Sequence, residues 1–254
     1  QLFREAEAAE QRAKFLAEAS KLLAASLDHH ATLASLARLA VPTLADWCSV
    51  YLVEENGAIR SVAHAHVDPA KIALAHELDQ RYPIDAASDH GIARVIREAE
   101  AAVYQDIPDE ALQAFAADQA HLEILRRLGL RSSIALPLRA RDRTLGALAL
   151  SYAESGRHYR AADVALAEEL AHRAAIAVDN ALLFADAQES VRVREEFLSI
   201  ASHELKTPLT SLQFQVQSLL RAVRKGTLAT LPPERSAGML ESAERQTRRL
   251  ARLV

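Results

Sequence analysis

The stretch S-I-A-S-H-E-L-K-T-P-L-T-S-L at residues 199–212 places a histidine and a glutamate side by side, His203 and Glu204. A neutral imidazole can act as a nucleophile through one ring nitrogen while a neighbouring carboxylate accepts a hydrogen bond from the other. Thr207 follows one helical turn later, on the same face of a helix. Pro208 removes a backbone donor and crowds the carbonyl of Glu204, so we expect the helix to bend here.

The direction of His203 follows from the helical repeat around it. Apolar residues recur every seven positions, and a second row joins them further along: Phe184, Val191, Leu198, Leu205, Leu212 and Leu219, then Leu209, Val216 and Val223. At 100° per residue, His203 lies about 140° from the middle of this apolar seam. The sequence therefore predicts that the imidazole faces solvent. An ordinary solvated His–Glu pair would face solvent too, so geometry alone does not assign it a role.

The elements around this helix are typical of an α+β region flanked by helices. Helical spacing covers 1–27, 31–40, 69–81 and 109–128, and a long helix begins near Tyr159. Strand patterns cover 47–53, 58–65, 101–105, 131–138 and 144–152, with Asn56-Gly57 as a hairpin turn. Residues 225–233 break the long helix, and a second apolar helix follows. Two antiparallel helices from one chain bury only part of their apolar faces, so we expect a homodimer with a four-helix bundle.

Composition narrows the possible partners and location. The 254 residues carry a net charge of −4, and no run of Lys and Arg is interleaved with aromatics, which argues against nucleic acid as the partner. Cys48 is the only cysteine, which favours a reducing compartment, and no stretch approaches the ~20 apolar residues of a membrane span. We expect a cytoplasmic fragment cut at both ends from a longer protein, whose membrane attachment stays open.

Two segments resemble the sensor histidine kinases of the HisKA type. E-F-L-S-I-A-S-H-E-L-K-T-P-L-T-S-L at 196–212 is similar to their phosphoacceptor motif, and R-Q-T-R-R-L-A-R-L-V at 245–254 to the second helix of the same module. The resemblance implies that His203 accepts the γ-phosphoryl group of ATP and passes it to an aspartate of a response regulator receiver domain. It implies that Glu204 is the acid/base neighbour and that Thr207 positions water in a phosphatase reaction.

The same resemblance implies partners that these residues do not include. No Gly-rich phosphate loop is present in the sequence, whereas phosphoryl transfer needs a nucleotide cradle and a metal ion. In the family, an ATP-binding domain follows the second helix and supplies ATP and Mg²⁺. We therefore expect 186–254 to be a dimerisation and phosphoacceptor domain truncated in its second helix, inactive without that ATP-binding domain.

The middle of the chain, 28–185, resembles a GAF domain, with 1–27 as a preceding signalling helix. The matching segments are L-A-D-W-C-S-V-Y-L-V, L-G-L-R-S-S-I-A-L-P-L, T-L-G-A-L-A-L and A-I-A-V-D-N-A-L-L. The resemblance implies an antiparallel sheet with helices on one face and a small-molecule cavity on the other. A ligand there would bias the coiled-coil register that leads to His203.

Four groups in this domain are candidates for further chemistry. His121 opens a segment similar to tetrapyrrole-binding GAF domains, and it is either a pocket ligand or an ordinary helix histidine; Ala120 replaces the attachment cysteine of some relatives. His64 and His66 share a strand face near Asp68, but no third ligand is evident, so no metal site is predicted. We expect Cys48 to be a small buried apolar residue, and the alternative is that its thiol senses redox state. The acidic residues Asp106, Asp109 and Glu110 indicate a helix N-terminus.

These inferences lead to one main hypothesis and two alternatives. The main one is the sensory and phosphoacceptor part of a two-component sensor histidine kinase. The alternatives are a ligand-gated GAF and coiled-coil connector without phosphotransfer, and a photosensor that binds a tetrapyrrole non-covalently.

Overall fold

The computed structural model describes residues 2–26, 28–226 and 232–251. The chain divides into two compact units, Gln1–Phe184 and Ala185–Val254. Within the described ranges, no helix has the length and apolar character that crossing a membrane requires.

The first unit is an α+β fold, as predicted. Its helices and strands in chain order are α1 (Leu2–Ala24), α2 (His29–Ala40), β1 (Trp47–Val53), β2 (Ile59–His66), α3 (Ile72–Arg81), α4 (Gly91–Glu98), β3 (Ala102–Tyr104), α5 (Asp109–Phe115), α6 (Gln119–Leu128), β4 (Ser132–Ala140), β5 (Arg143–Tyr152) and the first part of α7 (Ala161–Arg224). A short 3₁₀ turn, Pro69–Lys71, precedes α3.

The five strands form one antiparallel sheet in the order β2-β1-β5-β4-β3. The predicted hairpin joins β1 to β2. Gly57 adopts φ +82°, which an L residue rarely adopts, and the Asn56 side chain accepts a hydrogen bond from the Ala58 amide at 2.8 Å. Asn56-Gly57 therefore closes the turn because a tight hairpin turn requires positive φ angles, which glycine adopts readily.

One face of the sheet carries the main core. Helices α1, α2 and α7 cover it with an apolar stripe each, represented by Phe15, Leu36 and Leu170, against alternate residues of the central strands. Val50 and Leu148 contribute from β1 and β5, and both are fully buried. The helix predicted for 1–27 is thus part of the core of the first unit.

The opposite face is also covered by helices, whereas the resemblance implied helices on one face of the sheet and a small-molecule cavity on the other. Side chains of α3 and α6 pack against Trp47 at one end, and Val95 of α4 packs against Ala135 and Ala147 at the other. Polar residues, including Ser49 and His64, lie on this face of the sheet.

Two local features were not anticipated. Helix α4 has no counterpart among the predicted elements. The helix predicted for 109–128 is two helices, because Ala116 is extended with ψ 131° and Asp118 starts a new helix by accepting a hydrogen bond from the amide of His121 at 2.7 Å. A side-chain cap thus interrupts an otherwise helical spacing.

The second unit contains the remainder of α7 and α8 (Pro233–Leu250). Gln215 donates to Ser242 at 2.6 Å and Arg249 donates to Glu204 at 2.9 Å, so later residues of α8 meet earlier residues of α7. This is the predicted antiparallel hairpin. Helix α7 continues through Pro208 without interruption, and residues 227–231 of the predicted break lie outside the described residues.

Candidate functional site

The side chain of His203 is 80% exposed, which confirms the orientation predicted from the helical repeat. It lies in the middle of the second unit's part of α7, so a regular helix positions it rather than a loop. Thr207 lies one turn further on, and its hydroxyl donates to the His203 carbonyl at 3.2 Å. The imidazole is therefore accessible to another molecule, and Thr207 is on the same face.

The carboxylate of Glu204 is shared between two neighbours. Its Oε1 atom lies 3.8 Å from Nδ1 of His203, which is longer than a hydrogen bond. Its Oε2 atom accepts a hydrogen bond from the Arg249 guanidinium at 2.9 Å. Arg249 comes from α8, and sequence reasoning did not identify it because its contact depends on the hairpin register.

In the second unit, α7 presents three different faces. Glu204, Pro208 and Gln215 lie on the side that meets α8, and Pro208 is buried there. The side chains of Leu209, Val216 and Val223 form an apolar row that is 44–55% exposed. His203 lies about 120° from both faces by helical geometry. The side chains that pack against α8, the exposed apolar row and the His203 imidazole therefore lie on three separate faces of the helix.

In the first unit, His64 and His66 do not converge on one point. Both ring nitrogens of His66 are engaged, Nδ1 at 2.9 Å from the backbone of Asp68 and Nε2 at 3.0 Å from Glu154. His64 instead pairs with Asp79 of α3, its Nε2 lying 2.7 Å from Oδ2. The possible set of His64, His66 and Asp68 is therefore not a metal site.

His121 occupies the first turn of α6 and is only partly buried. Its ring stacks on Tyr82 with centroids 4.2 Å apart, and its Nδ1 accepts a hydrogen bond from the Ala117 amide at 3.0 Å. Burial lowers the pKa of His121, against an opposing effect of Asp118. One ring nitrogen is thus used in local capping contacts.

Two other candidates from the sequence, Cys48 and Asp109, occupy positions that stabilise the fold of the first unit. Cys48 is fully buried, and burial raises its pKa to about 12, so the thiol is protonated and shielded. Asp109 begins α5, as its acidic neighbourhood suggested, and pairs with Arg126 at 2.7 Å.

Asp46 is a buried carboxylate that sequence reasoning did not single out. It accepts hydrogen bonds from the Ala153 amide at 2.8 Å and from the amide and hydroxyl of Ser155 at 2.9 and 2.7 Å. Burial alone would raise the pKa of Asp46, but these hydrogen bonds outweigh it and the pKa is lowered.

Two known families match the chain, and the boundary between the two units at 184/185 falls between their matches. The family model of the GAF domain matches residues 28–178, and that of the His Kinase A (phospho-acceptor) domain matches residues 193–254. His203 lies inside the second match. A search among curated proteins found no match.

Solved GAF domains share the fold of the first unit. The GAF domain of the phosphoenolpyruvate-protein phosphotransferase from Acinetobacter is 15% identical, with a TM-score of 0.51, and the match covers 68% of this chain and 95% of that one. The corresponding domain from Coxiella burnetii is 17% identical with the same TM-score of 0.51, covering 69% of this chain and 96% of that one. At this level of identity the likeness describes the fold alone.

Proposed function

Because the chain belongs to the GAF domain family and has a His Kinase A phospho-acceptor domain after its GAF domain, we propose that His203 is the phosphoacceptor of a sensor histidine kinase. In this proposal the GAF domain senses a signal and controls phosphorylation of His203. The phosphoryl group then passes to an aspartate of a response regulator. Since ATP and receiver domains are cytoplasmic, we place this part of the protein in the cytoplasm.

The observation that supports this role is the exposure of the imidazole. A phosphoacceptor must be reached in turn by a donor and by a receiver, so it needs a face of its own. His203 is 80% exposed on a face of α7 that neither α8 nor the open apolar row uses. A buried histidine could not serve two partners.

The transfer step follows from the two ring nitrogens. Nε2 of His203 would attack the γ-phosphorus of ATP; the N–P bond forms as the bond to the β-phosphate oxygen breaks and ADP leaves with that electron pair. The Nδ1 proton would be held by Glu204, which must approach from 3.8 Å to about 3 Å. Thr207 would position water when the reaction runs as a phosphatase.

ATP and Mg²⁺ would come to His203 on an ATP-binding domain of the same protein. The Mg²⁺ ion supplies charge neutralisation at the transferring phosphate. The residues of this chain supply the acceptor nitrogen and the carboxylate, and they hold both on a regular helix.

We also propose that the chain acts as a homodimer. Leu209, Val216 and Val223 expose an apolar row that α8 of the same chain does not cover. Pairing this row with its copy in a second chain would complete a four-helix bundle. The bundle would keep both His203 side chains on the outside.

Control by the GAF domain would act through α7. This helix contributes Leu170 and Val178 to the core of the first unit and carries His203 further along. A small molecule that favours one packing of the first unit would bias the helix pairing near His203.

The test supplies the ATP-binding domain in trans. The chain is incubated with that domain, Mg²⁺ and γ-labelled ATP, and acid-labile phosphate is measured. We expect label on the wild type, none on His203→Gln, and about 100-fold slower labelling of Glu204→Gln. Addition of a receiver domain should remove the label.

The controls separate this role from the two alternatives. His172→Gln changes an exposed histidine elsewhere on α7 and should label like the wild type. No label on wild type, or equal labelling of His203→Gln, would leave the connector without phosphotransfer as the better description. A visible absorption band after reconstitution with tetrapyrrole would instead support the photosensor.

A further inference from the structure

A second cluster of potential ligands lies in the first unit, between the edge strand β2 and helix α3. His64 comes from β2, and His76 and Asp79 come from α3, one helical turn apart. One nitrogen from each histidine and one oxygen from Asp79 all lie within 4.8 Å of one another. The strand and the helix therefore bring together three groups that a metal ion prefers.

The positions of these groups suit a bound cation. Nε2 of His64 lies 2.7 Å from Oδ2 of Asp79 and 2.6 Å from the hydroxyl of Ser61, which a bound ion would displace. The His64 and His76 rings are 5.3 Å apart between centroids. Two ligands of a tetrahedral Zn²⁺ ion stand about 3.3 Å apart when each bond is about 2.0 Å. A small outward shift of Asp79 would reach this separation. The shift is open to it, because its side chain is 28% exposed.

His64 is held in place as a ligand usually is. Its side chain is only 2% exposed, and its Nδ1 lies 2.8 Å from the hydroxyl of Ser49 on β1. A metal-bound histidine commonly uses its other ring nitrogen in such a contact, which fixes the ring. His76 is exposed, so the opposite side of the cluster is open to solvent and an ion could enter there.

The charges also favour a cation. Among the described residues, His64 is the only ion-pair partner of Asp79, so no Lys or Arg neutralises this carboxylate. Two imidazoles and one carboxylate suit Zn²⁺, Co²⁺, Ni²⁺ or Fe²⁺, whereas Mg²⁺ and Ca²⁺ prefer oxygen ligands throughout. Three protein ligands leave a fourth position for water or a small molecule.

We propose that His64, His76 and Asp79 form a binding site for a divalent transition-metal ion, with Zn²⁺ as the first candidate. The ion would link the edge of the sheet to α3. The proposal is independent of His203, which lies in the other unit. Sequence spacing draws attention to His66 and Asp68 as possible co-ligands of His64. In the structure, the groups that converge on His64 are His76 and Asp79 instead.

The experiment uses the whole chain after treatment with a chelator. Titration with Co²⁺ should give the visible absorption of a tetrahedral site, saturating at one equivalent, and Zn²⁺ should remove it. The same concentration of Mg²⁺ should leave the band unchanged. We expect His76→Ala and Asp79→Asn each to weaken Co²⁺ binding by at least about tenfold, and Ser49→Ala by about tenfold.

Matched controls make the outcome decisive. His172→Ala removes an exposed histidine from α7 and should bind Co²⁺ like the wild type. His76→Ala alters an exposed side chain, and the emission of Trp47, the only tryptophan, reports whether the first unit remains folded. Absence of a saturable band, or unchanged affinity in folded His76→Ala, would overturn the proposal and leave a hydrogen-bonded polar cluster only.

Discussion

At the scale of single residues, Arg249 and His203 compete for the carboxylate of Glu204. The guanidinium holds one oxygen at 2.9 Å, while the imidazole is 3.8 Å from the other. All three side chains are substantially exposed. An ion pair of this kind contributes up to about 1 kcal/mol, enough to change a rate by about fivefold without controlling the fold.

Arg249→Ala should therefore speed phosphorylation of His203. Without the competing guanidinium, Glu204 can turn to the imidazole, and we expect the initial rate to rise by about two- to fivefold. Arg248→Ala is the control, because Arg248 pairs with Glu244 on α8 instead. A slower rate in Arg249→Ala would show that Arg249 assists the reaction rather than restraining Glu204.

The lowered pKa of Asp46 predicts how the free energy of unfolding depends on pH. Its pKa is lowered in the folded protein, so it stabilises the fold above the ordinary aspartate pKa of about 4 and loses this effect as the pH falls through its folded pKa. Asp46→Asn should lower the free energy of unfolding by about 1–3 kcal/mol at pH 7. The difference from wild type should shrink below about pH 4 in urea unfolding followed by Trp47 fluorescence.

The control for Asp46→Asn is the same substitution at an exposed aspartate. Asp142 is exposed between β4 and β5, and Asp142→Asn should change the free energy of unfolding by less than about 0.5 kcal/mol at either pH. If the difference in the free energy of unfolding between Asp46→Asn and wild type stayed constant down to pH 2, the charge of Asp46 would not be its cause.

At the scale of elements, Gly146 sets how closely β1 approaches β5. A Cβ atom at this position would lie 1.9 Å from the carbonyl oxygen of Tyr51 and 2.9 Å from the Cα of Leu52. Both obstacles are backbone atoms of the neighbouring strand, so no side chain can move aside. The central pairing of the sheet therefore depends on the missing side chain.

Gly146→Ala should destabilise the first unit by about 3 kcal/mol or more, since the strands must separate to admit the methyl group. Gly238→Ala is the matched substitution in α8, where no atom beyond the chain neighbours and the backbone of the helix itself lies within 4 Å of the new Cβ. It should stabilise its helix by about 0.5–1 kcal/mol. Trp47 fluorescence for the first and circular dichroism for the second measure these effects, and a neutral Gly146→Ala would contradict the packing.

At the scale of the whole molecule, two exposed apolar residues of α7 predict different interfaces. Val216 belongs to the open apolar row, while Phe214, 70% exposed, lies about 160° away on the face that carries His203. Val216 should thus contact a second chain, and Phe214 should be available to a phosphotransfer partner.

If the proposed homodimer pairs through this row, Val216→Glu should give a monomer, because the substitution would bury a charge in the four-helix bundle. Phe214→Glu should remain dimeric and slow transfer from phosphorylated His203 to a receiver domain. Light scattering after gel filtration measures the mass, and loss of label measures transfer. A dimeric Val216→Glu would place the interface elsewhere.

Local pattern predicted much of this fold. The β1–β2 hairpin, the helix over Ile72–Arg81, the long helix and the exposure of His203 all depend on spacing within a few residues, which side-chain periodicity reflects directly. The break at 116–118 was missed because a side-chain cap on Asp118 competes with helical spacing there.

Local sequence pattern could not predict the contacts between residues that are far apart in the chain. Asp46 meets residues more than a hundred positions away, Glu204 meets Arg249 across the helical hairpin, and His64 meets Asp79 only because α3 docks on the edge strand β2. Periodicity states which face of an element is apolar, but not which element covers that face. Strand order and helix docking settle that question through packing of the whole unit, and they choose the partners of buried polar groups such as Asp46 and His64.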